Sequence, residues 1–248
     1  MTQMVSLKDK MGSVRELLER MKPQLELALP RHMTADRMVR IALTSLQRTP
    51  QLLDCDKPSL AGAILQSAQL GLEPDGVLGH AYLVPFKGKV VFIPGYKGLI
   101  QLARRSGEVS TVEAVVVNAG DVFEYERGLV PILRHKPAEG DAGKVTHVYA
   151  IIRLRDGGVQ WDVMTFDQIE AVRRRSPAGN GGPWVTDWPE MAKKTVLKRV
   201  LKLAPCSVEA QRAIALDERA EAGIDQNLEL IDLPPTEAPQ LAESLADA

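Results

Sequence analysis

His147-Val148-Tyr149-Ala150-Ile151-Ile152-Arg153-Leu154-Arg155, with the Asp156-Gly157-Gly158 that follows it, decides the fold class. Successive side chains along a strand point to opposite faces of a sheet. Val148, Ala150, Ile152 and Leu154 therefore form one apolar face, and His147, Tyr149, Ile151, Arg153 and Arg155 form the other. The first face belongs to a core; the second offers a ring and two guanidinium groups. Asp156-Gly157-Gly158 turns the chain into a second strand over about 159–164, where Trp161 alternates with Asp162.

Upstream, the same two-residue period starts near His80, with Tyr82-Leu83-Val84 and Val90-Val91-Phe92-Ile93 joined by a Lys87-Gly88-Lys89 turn, and continues in strands over about 109–117 and 122–125. A short helix over about 97–106, stopped by Gly107, separates the hairpin from those strands. Before residue 80 the spacing is helical: one helix from Ser13 past Pro23 to Leu29, a second capped by Thr34 and running to Leu46, a third opened by Pro58 and running to Leu70. After the sheet, helices are expected over about 165–175 and 189–204, and Ser207 caps a last one running to Ala222. The class is α+β, a small antiparallel sheet packed with helices. Residues 1–58 form a helical N-terminal region suited to subunit contacts, 59–222 a core, and 223–248 a flexible tail with six acids and no base after Gly223.

A chain of 248 residues buries a sufficient core without metal or disulfide staples. Its two cysteines, Cys55 and Cys206, lack metal-ligand spacing, which suits a reduced interior. No apolar run approaches the roughly 20 residues of a membrane span, and the first residues lack the apolar segment of a secretory signal, so a cytoplasmic protein without a membrane partner is expected. The net charge of -1 hides an uneven distribution. Residues 80–212 hold 20 Lys and Arg against 14 Asp and Glu, whereas residues 213–248 hold 1 against 9. All the aromatic residues, four Phe, four Tyr and three Trp, lie between Tyr82 and Trp188. Cations beside flat rings suit a groove for single-stranded nucleic acid; a chance clustering on solvated faces is the plain alternative.

The basic helix over 189–204 supplies the main candidates. At about 100° per residue, Val196, Leu197, Val200, Leu201, Leu203 and Ala204 share one apolar arc, and Lys194, Lys198, Arg199 and Lys202 fall opposite, as a ladder for phosphates. Lys193 falls inside the apolar arc. Either its stem snorkels toward Trp184 or Trp188 to meet a phosphate, or it pairs with Asp187 or Glu190. Arg173, Arg174 and Arg175 precede the glycine- and proline-rich stretch 176–183, read as a loop that orders on binding. Gly95-Tyr96-Lys97-Gly98 opens a helix directly after a strand, where free N–H groups attract anions, with Arg104 and Arg105 nearby; close packing is the alternative role for Gly98. Tyr96, Tyr149, Trp184 and Trp188 are the candidate stacking platforms, while Phe92, Phe123, Trp161 and Phe166 are assigned to packing.

Catalytic signatures are missing from the sequence. Gly71 and Gly76 have the interval of a phosphate-binding loop, but Val77 and Leu78 follow in place of Lys and Ser or Thr. His32, His80, His135 and His147 lack metal-site spacing. A binding protein without fuel is expected; the competing readings are a metal-dependent nuclease and a structural phage assembly protein.

Several blocks in order resemble the RecT family of phage and prophage recombinases, single-strand annealing proteins related to lambda Red beta. They are Gln66-Ser67-Ala68-Gln69-Leu70-Gly71-Leu72-Glu73-Pro74, Gly95-Tyr96-Lys97-Gly98-Leu99-Ile100 with Leu102-Ala103-Arg104-Arg105-Ser106-Gly107, Phe123-Glu124-Tyr125-Glu126-Arg127-Gly128-Leu129, His135-Lys136-Pro137-Ala138-Glu139-Gly140, and the run from Pro183 to Thr195. The resemblance implies ATP-independent binding of single-stranded DNA and annealing to duplex DNA in homologous recombination, by an oligomer that forms rings or helical filaments. It also implies that residues 59–222 are the annealing core. The partners it implies are a second copy of the chain, an exonuclease that supplies single strands, and the host single-strand-binding protein. No cofactor is required on this reading; magnesium is an optional companion of the phosphates.

Overall fold

The computed structural model describes residues 6–228. Helix α1 (Leu7–Ala28) starts at a capping box in which Ser6 and Asp9 satisfy each other's backbone N–H groups, and it carries Pro23 within its length. Its buried face is Val14, Leu17, Leu18, Met21 and Leu25, at three- and four-residue spacing. Thr34 caps α2 (Ala35–Arg48), and after a 3-10 turn over Pro50–Asp54, Asp56 caps α3 (Lys57–Leu70). Helix α3 is buried almost throughout and ends at Gly71 in the left-handed conformation, φ 57°.

Strands β1 (Ala81–Phe86) and β2 (Lys89–Pro94) form the expected hairpin, turned at Lys87 and Gly88, both with positive φ. Helix α4 (Tyr96–Arg105) leads into β3 (Val109–Asn118), and β4 (Val122–Glu126) pairs with β5 (Ile132–Lys136) in a second hairpin. Strand β5 is absent from the sequence reading; it is half-exposed and lies between Pro131 and Pro137, so it shows no clean alternation. Strands β6 (Val145–Leu154) and β7 (Val159–Thr165) complete a three-stranded antiparallel sheet of order β3-β6-β7, with Ala150 opposite both Ala114 and Asp162.

Thr165 caps α5 (Phe166–Arg175) through a capping box, a single turn α6 (Pro183–Thr186) follows, then α7 (Trp188–Leu201) and α8 (Val208–Glu221), the last capped by Ser207. The fold is α+β, as the sequence indicates. Val148, Ala150 and Ile152 are fully buried on the inner face of the sheet, against which α7 packs. That core is continuous from Val14 to Leu216, so α1 and α2 share it with the sheet and the C-terminal helices. The outer face has its own small core, where Val117, Tyr149 and Val163 meet Phe123 and Leu133 of the β4–β5 hairpin.

Three details of the sequence reading are corrected. Leu203, placed on the buried arc, is exposed because α7 ends at Leu201. Phe166, assigned to packing, is 40% exposed. The stretch 176–183, read as ordering on binding, is already tied down, since Arg173 Nε donates to Gly179 O at 2.8 Å and Gly179 N to Ser176 O at 2.9 Å. The expected acidic tail lies from residue 229 onward outside the described residues. Its first part is packed: Gln226 is buried, accepting from Phe92 N at 2.9 Å and donating to Phe92 O at 2.7 Å.

Candidate nucleic-acid interface

The β6–β7 end of the sheet delivers Arg153 and Arg155 to solvent. Arg153 stands on the outer face opposite Thr111 of β3 and Val159 of β7, beyond the area that the β4–β5 hairpin covers. Among the described residues, the side chains of Lys97, Arg153, Arg155, Arg174 and Arg175 make no ion pair or hydrogen bond, and all are exposed. These cations remain unneutralised by the protein itself.

Helix α4 begins at a close approach of two backbone segments. A Cβ on Gly95 would lie 2.0 Å from Gly79 O, and one on Gly98 2.1 Å from His80 O, so both glycines serve the approach of α4 to residues 79–80. Packing explains Gly98. The Lys97 stem and the Tyr82 hydroxyl both lie beside Gly79, and the Tyr82 ring, 40% exposed, also lies against Gly76. Tyr96 is half-buried against the core, and burial pushes its hydroxyl pKa up, with the nearby Lys193 opposing. Arg104 reaches Ser110 O at 3.3 Å. Arg105 is exposed and also serves as a helix cap: its guanidinium donates to Leu70 O at 2.6 Å and Gly71 O at 2.7 Å, satisfying carbonyls at the end of α3.

The phosphate ladder expected on α7 does not exist. Lys194 and Lys198 are 6% and 4% exposed and both donate to Asp217 of α8, each at 2.6 Å. Lys198 also pairs with Glu221 at 2.6 Å, and Lys202 pairs with Glu218. Burial opposes the Asp217 charge, but the two ammonium groups outweigh it and hold its carboxyl below the ordinary range. The acids that neutralise the ladder, Asp217, Glu218 and Glu221, sit one helix further on, and one helical wheel cannot show them. Arg199 alone turns away from α8, its Nε 2.7 Å from Asp162 of β7. Lys193 pairs with Glu190 at 2.8 Å, the second of the two roles open to it.

Two of the four expected ring platforms are packed inside. Trp184 is 2% exposed and belongs to the main core. Tyr149 stacks on Phe123 with centroids 5.7 Å apart, and its hydroxyl meets His135 Nδ1 at 3.2 Å. His135 in turn meets Asp121 at 3.1 Å, and Asp121 accepts from Asn118 N at 2.7 Å and Ala138 N at 2.9 Å. Those backbone donors, with His135, hold the Asp121 carboxyl down at about 2. Trp188 is half-buried, its indole donates to Glu170 at 2.7 Å, and its ring lies tilted against Phe166 at 5.2 Å. Glu170 also holds Arg173 at 3.4 Å.

The structure thus places Arg153 and Arg155 at the end of β6, Arg199 against Asp162 of β7, Lys97 with Tyr96 and Lys193 at the junction of α4 and α7, and Arg174 and Arg175 at the end of the helix that starts at Phe166. It removes Tyr149, Trp184, Lys194 and Lys198 to structural duties, and it occupies Arg105, Arg173 and Lys202 in part. The sequence reading misses Phe166 as an exposed ring and Arg127, which shares Asp162 with Arg199. A Phe at the first position of a helix looks like a core residue, and an arginine in a turn carries no signal of its partner. Among the described residues, no group of three or more His, Cys, Asp or Glu is placed to hold a metal ion, and no helix is long and apolar enough to cross a membrane.

An α+β body with a small antiparallel sheet and unneutralised cations along its outer parts is the class defined by these features. The RecT family pattern matches residues 36–229. The chain is 54% identical over 213 residues to Protein RecT of Escherichia coli (strain K12), covering 83% of this chain and 79% of that protein. It is 32% identical over 216 residues to Uncharacterized protein YqaK of Bacillus subtilis (strain 168), covering 82% of this chain and 75% of that one. The chain belongs to the RecT family, and is a recombination protein.

Proposed function

We propose that this chain binds single-stranded DNA and anneals complementary strands without a nucleotide fuel, as an oligomer. The observation that carries the reading is the set of exposed cations left unneutralised on this RecT-family fold, at Lys97, Arg153, Arg155, Arg174 and Arg175. Annealing needs the backbone held and the base edges left free. Exposed arginines on a rigid sheet supply the first, and half-exposed rings such as Phe166 and Trp188 can keep bases apart without reading them.

If about four phosphates are neutralised per protomer at a slope of about -0.7 each, a fourfold rise in salt weakens one protomer about 50-fold. Useful affinity then comes from neighbouring protomers on one strand, assembled as a ring or filament. The outward faces of α1 and α2, where Leu27 is exposed, are the proposed subunit contact. An exonuclease and a host single-strand-binding protein are the proposed partners in the cell, and the cytoplasm is the proposed place. Magnesium is not needed to bind the strand.

The deciding experiment mixes labelled complementary oligonucleotides with the protein, with and without ATP and magnesium. Faster pairing in all conditions, with strand length preserved, is the expected result. Shortened strands in magnesium would establish a nuclease instead, and absence of both binding and pairing would leave a structural assembly role.

A further inference from the structure

Strand β7 forms one edge of the sheet, and a single buried carboxylate there gathers two arginines from different parts of the chain. Asp162 is 8% exposed at its side chain, and both of its oxygens are engaged. Arg199 of α7 lies with Nε 2.7 Å from Oδ2, Arg127 from the turn after β4 pairs with Oδ1, and Val163 N donates to Oδ1 at 2.8 Å. Arg127 also lies over the Trp161 ring, 5.2 Å from its centroid. Asp162 shares the inner face with Ala150 and Met164, whereas Trp161 points outward, so the two guanidinium groups flank the strand edge from its two sides.

These arginines are not buried with their partner. Their side chains are 58% and 48% exposed. A guanidinium carries five N–H donors in a rigid fork, so each keeps donors for an acceptor outside the protein. A free surface arginine loses rotamer freedom when it grips a ligand; one already oriented by a carboxylate and a ring has lost it in advance. The group as a whole is net positive, two cations to one acid.

We propose that Arg127 and Arg199, held by Asp162, form a preorganised clamp for a phosphodiester of the bound strand. Asp162 is then a positioning residue that aids anion binding although it is itself an anion. Arg153, opposite Val159, adds a cation on the outer face of the central strand, the face on which Arg127 lies over Trp161. This inference rests on the single-strand-binding reading above.

Asp162→Asn tests it, because charge and position predict opposite signs. Removing a negative charge strengthens binding to DNA if charge alone matters. The clamp requires that Asp162→Asn bind labelled oligothymidylate about tenfold more weakly at moderate salt, since two charge-assisted contacts are loosened. It also requires a salt slope shallower by about 1.4, at about 0.7 per lost contact. In an Arg127→Gln/Arg199→Gln background the same substitution should change nothing further. A folded Asp162→Asn protein that binds as well as or better than the unmodified chain overturns the clamp. If that variant does not fold, Arg127→Lys/Arg199→Lys decides, since it keeps the charge and removes the forks: weakened binding supports the clamp, unchanged affinity overturns it. Loss of oligonucleotide binding in the unmodified chain would instead overturn the functional reading beneath it.

Discussion

Two regions of this molecule are rich in cations and meet opposite fates. Along α7, Lys194, Lys198 and Lys202 face α8 and are consumed by Asp217, Glu218 and Glu221. Around β6 and the end of α5, Arg153, Arg155, Arg174 and Arg175 face solvent without an acidic partner among the described residues. Counting charges along the chain cannot separate the two. The difference lies in which element packs opposite, and it divides a lysine set that holds two helices together from an arginine set free to hold a polyanion.

The comparison breaks most easily at its buried end. Asp217→Ala strands the Lys194 ammonium in the interior, leaves Lys198 with Glu221 alone, and should destabilise the fold by about 3–5 kcal/mol in denaturant titration. A loss below about 1 kcal/mol would mean that the lysines find water, and the contrast fails. Trp184→Ala tests the same distinction among rings: as a core residue it should lose about 3–5 kcal/mol of stability. Phe166→Ala should leave folding nearly intact while weakening oligonucleotide binding by about 1–3 kcal/mol. Reversed outcomes would exchange the roles of the two rings.

A smaller effect sharpens the account of the outer face. Asp121 stays charged well below the ordinary carboxylate value of 3.8, to about 2. A lowered folded-state value stabilises above the unfolded value and is lost as pH falls through the folded one, so the β4–β5 hairpin should loosen between about pH 4 and about pH 2. Melting temperatures recorded across that window should fall in the unmodified chain and fall less in Asp121→Asn. Equal slopes would remove Asp121 from the account. Smallest of all, Lys193→Ala breaks a half-exposed pair with Glu190 and should change stability by no more than about 1 kcal/mol.

Much of the fold was legible because its signals are local. The alternation from Val148 to Leu154 gives β6 and its buried face, and Thr34 and Ser207 cap the helices they announce. The helical pattern of Val196, Leu197, Val200 and Leu201 also holds. The site was legible only in part, because a ligand contact depends on what the opposite element offers. Lys194 and Lys198 lie opposite the apolar arc as the wheel requires, yet that side is covered by α8, whose acids lie about twenty residues downstream and show no local link to α7. Tyr149 faces away from the main core, as alternation demands, but a hairpin whose second strand gives no clear signal lies over it. Arg153 and Arg155 escape both fates, since they are exposed and outside the small core under the hairpin.

Salt dependence of oligonucleotide affinity in an Arg153→Gln/Arg155→Gln protein tests the central claim most directly. If these arginines hold the strand, the double substitution leaves melting unchanged and makes the slope of log affinity against log salt shallower by about 1.4. A slope and affinity equal to those of the unmodified chain would contradict the account, and place the strand elsewhere on the molecule.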